Sequence, residues 1–241
     1  RISVRITMNC KRTMRSKKGN FIMKKEHIYR GIFYVAGLLI LALGIILNTK
    51  SGLGVSPIIS VSYSVSTIWK MNFGNTTFLL YTVFVLVEMV IHLVRKEKKA
   101  ILLLDALQLP LSLVFTRFMN LFSAWIPEAE QGFGSRLPVL IAGIVLTGIG
   151  AAMSLNMRIV PNPGDGIVQA IADCIGKPVG FTKNCFDLFN ICITISVGMI
   201  FASQLIGVGL GTVLAVIGVG RVIAAFNHLF MDKMLTAAKL A

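Results

Sequence analysis

Residues able to do chemistry are few in this chain, and the densest group is "NPGDG", Asn162 to Gly166. Asn162 is a favoured helix N-cap, and Pro163 suits the first helical turn, where its missing backbone donor is unpaired anyway. The pattern predicts a short helix running from Pro163 to Ile175. Its free N–H groups would aim at a pocket, with Gly164 and Gly166 permitting close approach. A helix start carries partial positive charge and suits an anionic group. Asp165 would then be a polar anchor or a proton carrier, since a carboxylate beside an apolar wall is easily neutralised. "SPIIS", with Ser56 and Pro57, presents an equivalent start in the first half. The competing reading is a capped junction at the membrane surface that binds nothing, and both stand.

A second candidate is Glu88 with His92, four residues on and on the same helical face. Glu88 lies about 18 Å into its apolar segment at the helical rise. An ionised carboxylate at mid-bilayer costs about 2.5–3.5 kcal/mol on insertion scales, so it should face the protein interior. The pair fits a proton relay or a structural hydrogen bond between helices, and Asp187 joins it as a third ion- or proton-coupling candidate. Asp105, Asp187 and Arg221 lie near segment ends, where snorkelling to the interface is the alternative role. Arg117 is deeper and should seek a carboxylate.

Other motifs point away from catalysis. "GVGLGT", Gly207 to Thr212, lacks the lysine of a phosphate loop. Gly207 and Gly211, with Gly218 and Gly220, read instead as a flat face for close helix packing. No Ser–His–Asp set, HExxH or CxxC occurs, so neither an enzyme, a cofactor nor a metal site is expected. Cys185 and Cys192 read as small hydrophobes in an apolar segment.

The elements that hold these groups follow from composition. Of 241 residues, 55% are hydrophobic and 14% charged, and the mean hydropathy is +0.79. Soluble domains carry about 25% charged residues. Six segments, about 31–49, 76–94, 100–124, 137–157, 184–203 and 205–230, approach the ~20 apolar residues that cross ~30 Å of hydrocarbon. Residues 53–71 and 159–177 are shorter in apolar content and rich in Ser, Gly and Pro, so they either span or re-enter. Charge separates the two cases. With eight spans, Lys and Arg divide evenly between the faces. With six, the cluster Arg95, Lys96, Lys98 and Lys99 joins the basic N-terminal tail on the cytoplasmic side, and Glu128 and Glu130 face out. The same distribution explains the net charge of +14 without nucleic acid. The expected class is therefore an all-α integral membrane protein with six transmembrane helices, two polar re-entrant or short helices and both termini cytoplasmic.

Expected boundaries are a basic tail over 1–29, membrane repeats over 30–125 and 137–230, and a cytoplasmic tail over 231–241. Residues 1–22 are set aside because "MKKEHIYRG" from Met23 reads as a membrane-protein start. The two repeats are suggested by a constant spacing of 106 positions. It places Ala36, Gly37, Gly44, Pro57, Gly74 and Thr76 on Ala142, Gly143, Gly150, Pro163, Gly180 and Thr182. Three crossings per half would invert the second copy, a layout common among secondary transporters.

The order Pro163-Gly164-Asp165-Gly166, Phe186-Asp187, Gly207 to Thr212, then Gly220-Arg221-Val222-Ile223 with Phe226, resembles the YczE/YyaS/YitT family of bacterial multi-pass membrane proteins. The likeness runs from about residue 30 to near the end. "GLGVSP" is similar to that family's earlier Gly-rich segment but has no acidic residue in the place of Asp165. The resemblance implies a bacterial cytoplasmic-membrane location and brings no substrate or catalytic residue. Two functions stand on the residues themselves. One is a secondary transporter or exporter of a small polar or anionic molecule; the other is a non-transporting component or regulator of a membrane-associated pathway. The expected partners are the lipid bilayer and a small solute. Self-association is compatible with the sequence, which sets no copy number.

Overall fold

The computed structural model describes residues 28–238; the basic tail, Cys10 and Lys239 lie outside them. These residues form eight helices: α1 Ile28–Lys50, α2 Pro57–Ile68, α3 Phe73–Val94, α4 Lys99–Trp125, α5 Phe133–Asn156, α6 Pro163–Ile175, α7 Val179–Ala202 and α8 Leu210–Ala238. Six are long and apolar enough to cross a membrane. The exceptions are α2 with 12 residues and α6 with 13. At the helical rise they reach only about 18–20 Å, short of the ~30 Å hydrocarbon core.

Burial runs opposite to that of a soluble protein. The long helices turn Leu79, Val90, Leu103, Ile200 and Val213 outward, while Ser60, Ser62 and Ser64 of α2 are buried. Most of α6 is buried as well, including Gly164, Gly166, Ile167 and Val168. The two short, polar helices are thus enclosed by the apolar ones. Chain that turns back within a membrane needs that enclosure, because its exposed backbone groups find no water in lipid. The chain is an all-α integral membrane protein.

α2 and α6 begin 106 residues apart, at Pro57 and Pro163, and so do α3 and α7. The contacts follow the same interval. α2 packs on α7, and α6 packs on α3. α1 crosses α5 antiparallel through glycines: a Cβ added to Gly37 would stand 3.0 Å from the Gly150 carbonyl, and one on Gly143 would stand 3.0 Å from the Gly44 carbonyl. Exchanging the two halves converts one contact into the other. Lys50 at the end of α1 meets Glu128 beyond α4, Nζ to Oε1 at 2.9 Å, and the Ala129 amide donates to the Lys50 carbonyl at 3.0 Å. The ends of α1 and α4 therefore share one face of the bundle. An α2 that crossed would put them on opposite faces.

Three expectations are corrected. "GVGLGT" is not a helical packing face: α8 starts only at Leu210, and Gly207 has φ +81°. Its backbone instead pairs with the stretch before α2, through Val55 N–H to the Gly207 carbonyl at 2.9 Å and Gly211 N–H to the Leu53 carbonyl at 2.7 Å. Without side chains at Gly54 and Gly209 the two backbones can touch, and that pairing displaces the first turn of helix. Close α5–α8 packing falls to Gly148, against Val222, and Gly218, against Ile144; Gly220 meets nothing within 4 Å. Arg117 has no carboxylate partner among the described residues. It lies on an exposed face of α4, where its long stem lets the charge reach toward the membrane interface. Asp105 and Asp187 do not snorkel; they are 3% and 5% exposed, and each has a basic partner.

Candidate functional site

The α3–α4 hairpin places the ionisable groups. Arg95 to Lys98 form its turn, so α4 runs back along α3. His92 then meets Asp105, Nδ1 to Oδ2 at 2.7 Å, and Glu88 one turn deeper meets Gln108, whose Nε2 donates to Oε2 at 3.0 Å. Glu88 and Asp105 are each 3% exposed, and Gln108 is fully buried. Glu88 and His92 share a face, as their spacing predicts. Asp105 and Gln108 join the site only through the register of α4 against α3, which local sequence does not signal.

α6 closes this site from the other side. A Cβ on Gly166 would stand 2.6 and 2.9 Å from the two Glu88 carboxylate oxygens and 3.0 Å from Gln108 Nε2. The second glycine of "NPGDG" is therefore the space that Glu88 occupies. Asp165 and Lys183 line a cavity of about 480 Å³ together with Glu88, His92, Asp105 and Asp173. Lys183 also pairs with Asp187, Nζ to Oδ2 at 3.6 Å, one helical turn along α7. Asp187 Oδ1 has no hydrogen-bond partner among the described residues. The structure thus gathers Glu88, His92 and Asp165 around one space, while Asp187 reaches it through Lys183.

The helix starts converge, but not as an anion site. Ile58 Cδ1 would lie 2.6 Å from a Cβ on Gly164. A cavity of only about 60 Å³ separates the starts, lined by Ser56, Tyr81, Asn162, Asp165 and Lys183 among others. It has room for a few waters and no larger solute. The expected free amides are also occupied. The Asn162 side chain accepts from Gly164 N–H at 3.1 Å, and its carbonyl accepts from Asp165 and Gly166 N–H at 2.8 and 2.9 Å. Asn162 caps its own helix fully because proline removes the first donor and one residue can reach the next three.

The stretch that leads into α6 is held from α1. Arg30 donates from Nε to the Met157 carbonyl at 2.8 Å and from a terminal nitrogen to the Arg158 carbonyl at 2.6 Å; the Tyr34 hydroxyl donates to the Val160 carbonyl at 2.8 Å. Arg136, 106 positions after Arg30, lies beside Gly52, the counterpart of Arg158. The two arginines share the 106-residue interval, and each lies against the backbone that follows a long helix and precedes a short one.

A third cavity, about 180 Å³, is lined by Thr49, Val55, Tyr63 and the backbone of Gly207 to Gly209. Thr49 and Val55 correspond, at the 106 interval, to Leu155 and Pro161 of the charged cavity. The two spaces are counterparts near opposite faces, one charged and one neutral. An apolar groove of about 530 Å³, lined by Leu80, Phe84, Ile171 and Phe186 among others, has no charged side chain in its lining and only Thr182, Cys185 and Asn190 as polar ones.

Comparison with known proteins places this arrangement. The chain is 26% identical over 204 residues to the "Uncharacterized membrane protein YczE" of Bacillus subtilis (strain 168), covering 83% of this chain and 86% of that one. It is 26% identical over 184 residues to the "Uncharacterized protein YyaS" of the same organism, covering 76% and 89%. No solved structure matches. The matched region of a family of unknown function, DUF6198, covers residues 28–228, from the start of α1 through most of α8, and the chain belongs to that family.

Proposed function

We propose that this protein is a secondary transporter of a small polar solute in a bacterial cytoplasmic membrane. The observation that carries the reading is the cavity of about 480 Å³ lined by Glu88, His92, Asp105, Asp165, Asp173 and Lys183, in a bundle whose helices otherwise face lipid. Ionisable groups inside a membrane bundle are expensive and mark solute, ion or proton paths. Two halves inverted about the α1–α5 crossing, with short helices meeting at the centre, are the layout in which rocking opens a central site to either side in turn. The charged cavity and its smaller counterpart supply a vestibule toward each face. Ile58 against Gly164, with Tyr81 beside them, forms the barrier between. Four carboxylates against Lys183 and His92 suit a cationic or zwitterionic solute better than an anion.

The tightness of that barrier favours a second reading, a membrane component that transports nothing. Reconstitution separates the two. Purified protein is placed in liposomes holding a pH dye, a proton gradient is imposed, and small amines, amino acids and carboxylic acids are added in turn. Transport predicts a protein-dependent signal for the basic or zwitterionic compounds that Asp165→Asn removes. Liposomes that behave as protein-free controls across the whole panel would leave the second reading.

A further inference from the structure

One corner of the charged cavity has a more specific composition than a polar solute needs. Glu88, His92 and Asp105 each present one ligand-type atom, and the three atoms lie within 4.8 Å of one another. Both carboxylates are almost fully buried. Two buried like charges at this separation require a proton or a cation between them. A second observation comes from Gln108, which is 0% exposed. Its Nε2 is committed to Glu88, and its Oε1 on the same carboxamide has no hydrogen-bond partner among the described residues. A neutral oxygen left open beside two carboxylates is what a cation would use. Gly166 keeps the opposite wall free of side-chain atoms, and the cavity of about 480 Å³ gives access.

We infer that Glu88, His92 and Asp105 bind a first-row divalent transition cation such as Mn²⁺, Co²⁺ or Zn²⁺, with Gln108 Oε1 and water from the cavity completing its shell. The donors decide the metal class. One imidazole nitrogen with two carboxylates suits Mn²⁺ through Zn²⁺, whereas Mg²⁺ and Ca²⁺ prefer oxygen throughout. Three protein ligands on one side leave a position open toward the cavity, as in sites that exchange a ligand. The 2.7 Å between His92 Nδ1 and Asp105 Oδ2 sets these two donor atoms side by side, as two ligands of one ion would be. The site adjoins the proposed transport cavity but does not depend on transport, because binding is read on protein in micelles. A chain that binds the ion and moves no solute would keep this inference and lose the other.

The test uses the full chain in detergent, stripped with chelator and titrated with Co²⁺ by visible absorption and with Mn²⁺, Zn²⁺, Mg²⁺ and Ca²⁺ by calorimetry. One Co²⁺ per chain is expected, with Mg²⁺ and Ca²⁺ at least 10-fold weaker. Glu88→Gln and His92→Gln should each weaken Co²⁺ binding at least 10-fold. Gln108→Leu, which removes a donor oxygen from the shell, should weaken it at least 10-fold, and Glu128→Gln should leave it unchanged. Bound Mn²⁺ in a chain labelled with ¹⁵N-histidine should show coupling to ring nitrogen, which reports ligation without any substitution. Absence of saturable binding by the wild type, absence of nitrogen coupling, unchanged affinity in both Glu88→Gln and His92→Gln, or Mg²⁺ binding as tight as Co²⁺ would each overturn the site.

Discussion

Gly166→Ala offers the sharpest test of how "NPGDG" is joined to the buried carboxylates. The new methyl would start 2.6 Å from Glu88 Oε2 and 2.9 Å from Oε1. Carbon–oxygen contacts settle at about 3.3–3.6 Å, so Glu88 or α6 must retreat by roughly 0.7 Å or more. The carboxylate has little room to do so, being 3% exposed and tied to Gln108 at 3.0 Å. Overpacking of this kind destabilises by about 1–3 kcal/mol. Breaking the Gln108 hydrogen bond adds about 0.5–1.5 kcal/mol. Replacing a helical glycine by alanine gains at most about 0.5–1 kcal/mol in the other direction. The net expectation is a loss of about 0.5–4 kcal/mol, read as a lowered melting temperature of purified protein in detergent. The decisive arm is a double-mutant cycle with Glu88→Ala. Truncating Glu88 vacates the space, so Gly166→Ala should then be better tolerated by at least about 1 kcal/mol than in the wild type. If Gly166→Ala is neutral or stabilising, and the two changes add within about 0.5 kcal/mol, Gly166 does not press on Glu88 and the site is assembled differently.

Other outcomes follow from the same geometry. Asp165→Asn should abolish or strongly reduce function at unchanged membrane abundance, whereas Asn162→Ala, which frees Gly164 N–H, should lower stability by about 0.5–2 kcal/mol with a milder functional loss; equal function for Asp165→Asn and wild type would remove Asp165 from the site. Gly150→Ala drives a methyl into the Leu41 backbone and should destabilise by about 1–3 kcal/mol, while Gly220→Ala, with nothing within 4 Å, should change stability by less than about 1 kcal/mol. The reverse order in thermal melts would refute the glycine-mediated α1–α5 crossing. A single cysteine at Lys98 should resist an impermeant thiol reagent in intact cells and one at Glu130 should react, and external labelling at Lys98 would overturn the cytoplasmic placement of the α3–α4 turn. Lys50→Ala should shift stability by no more than about 1 kcal/mol, since Glu128 in that pair is 72% exposed and surface ion pairs contribute little.

Much of the architecture is local and therefore legible in the chain. Apolar runs long enough for lipid identify the six long helices, because length and hydropathy are properties of a segment by itself. Asn162-Pro163 marks the start of α6 since a cap acts on the next three residues. The matching start at Pro57, 106 positions earlier, belongs to the same local grammar. Glu88 and His92 share a face for the same reason: four residues make about one turn. The 106-residue interval is legible in glycines and prolines, yet Arg30 and Arg136 gain meaning only beside the Arg158 and Gly52 backbone they approach.

What the tertiary structure decided is which of these local pieces meet. Nothing within α3 says that Asp105 faces His92 or that Gln108 faces Glu88; that depends on the register of α4 across the turn. Nothing in "NPGDG" says that Asn162 consumes the helix-start amides, that Ile58 blocks the approach, or that the absent side chain of Gly166 is filled by a carboxylate from another helix. "GVGLGT" suggests a helix until the backbone of Leu53 to Val55 is set against it. Periodicity, capping and hydropathy act over a few residues along the chain. Charge pairing, close backbone approach and cavity shape depend on distances between segments far apart in sequence, and those distances exist only once the helices have packed.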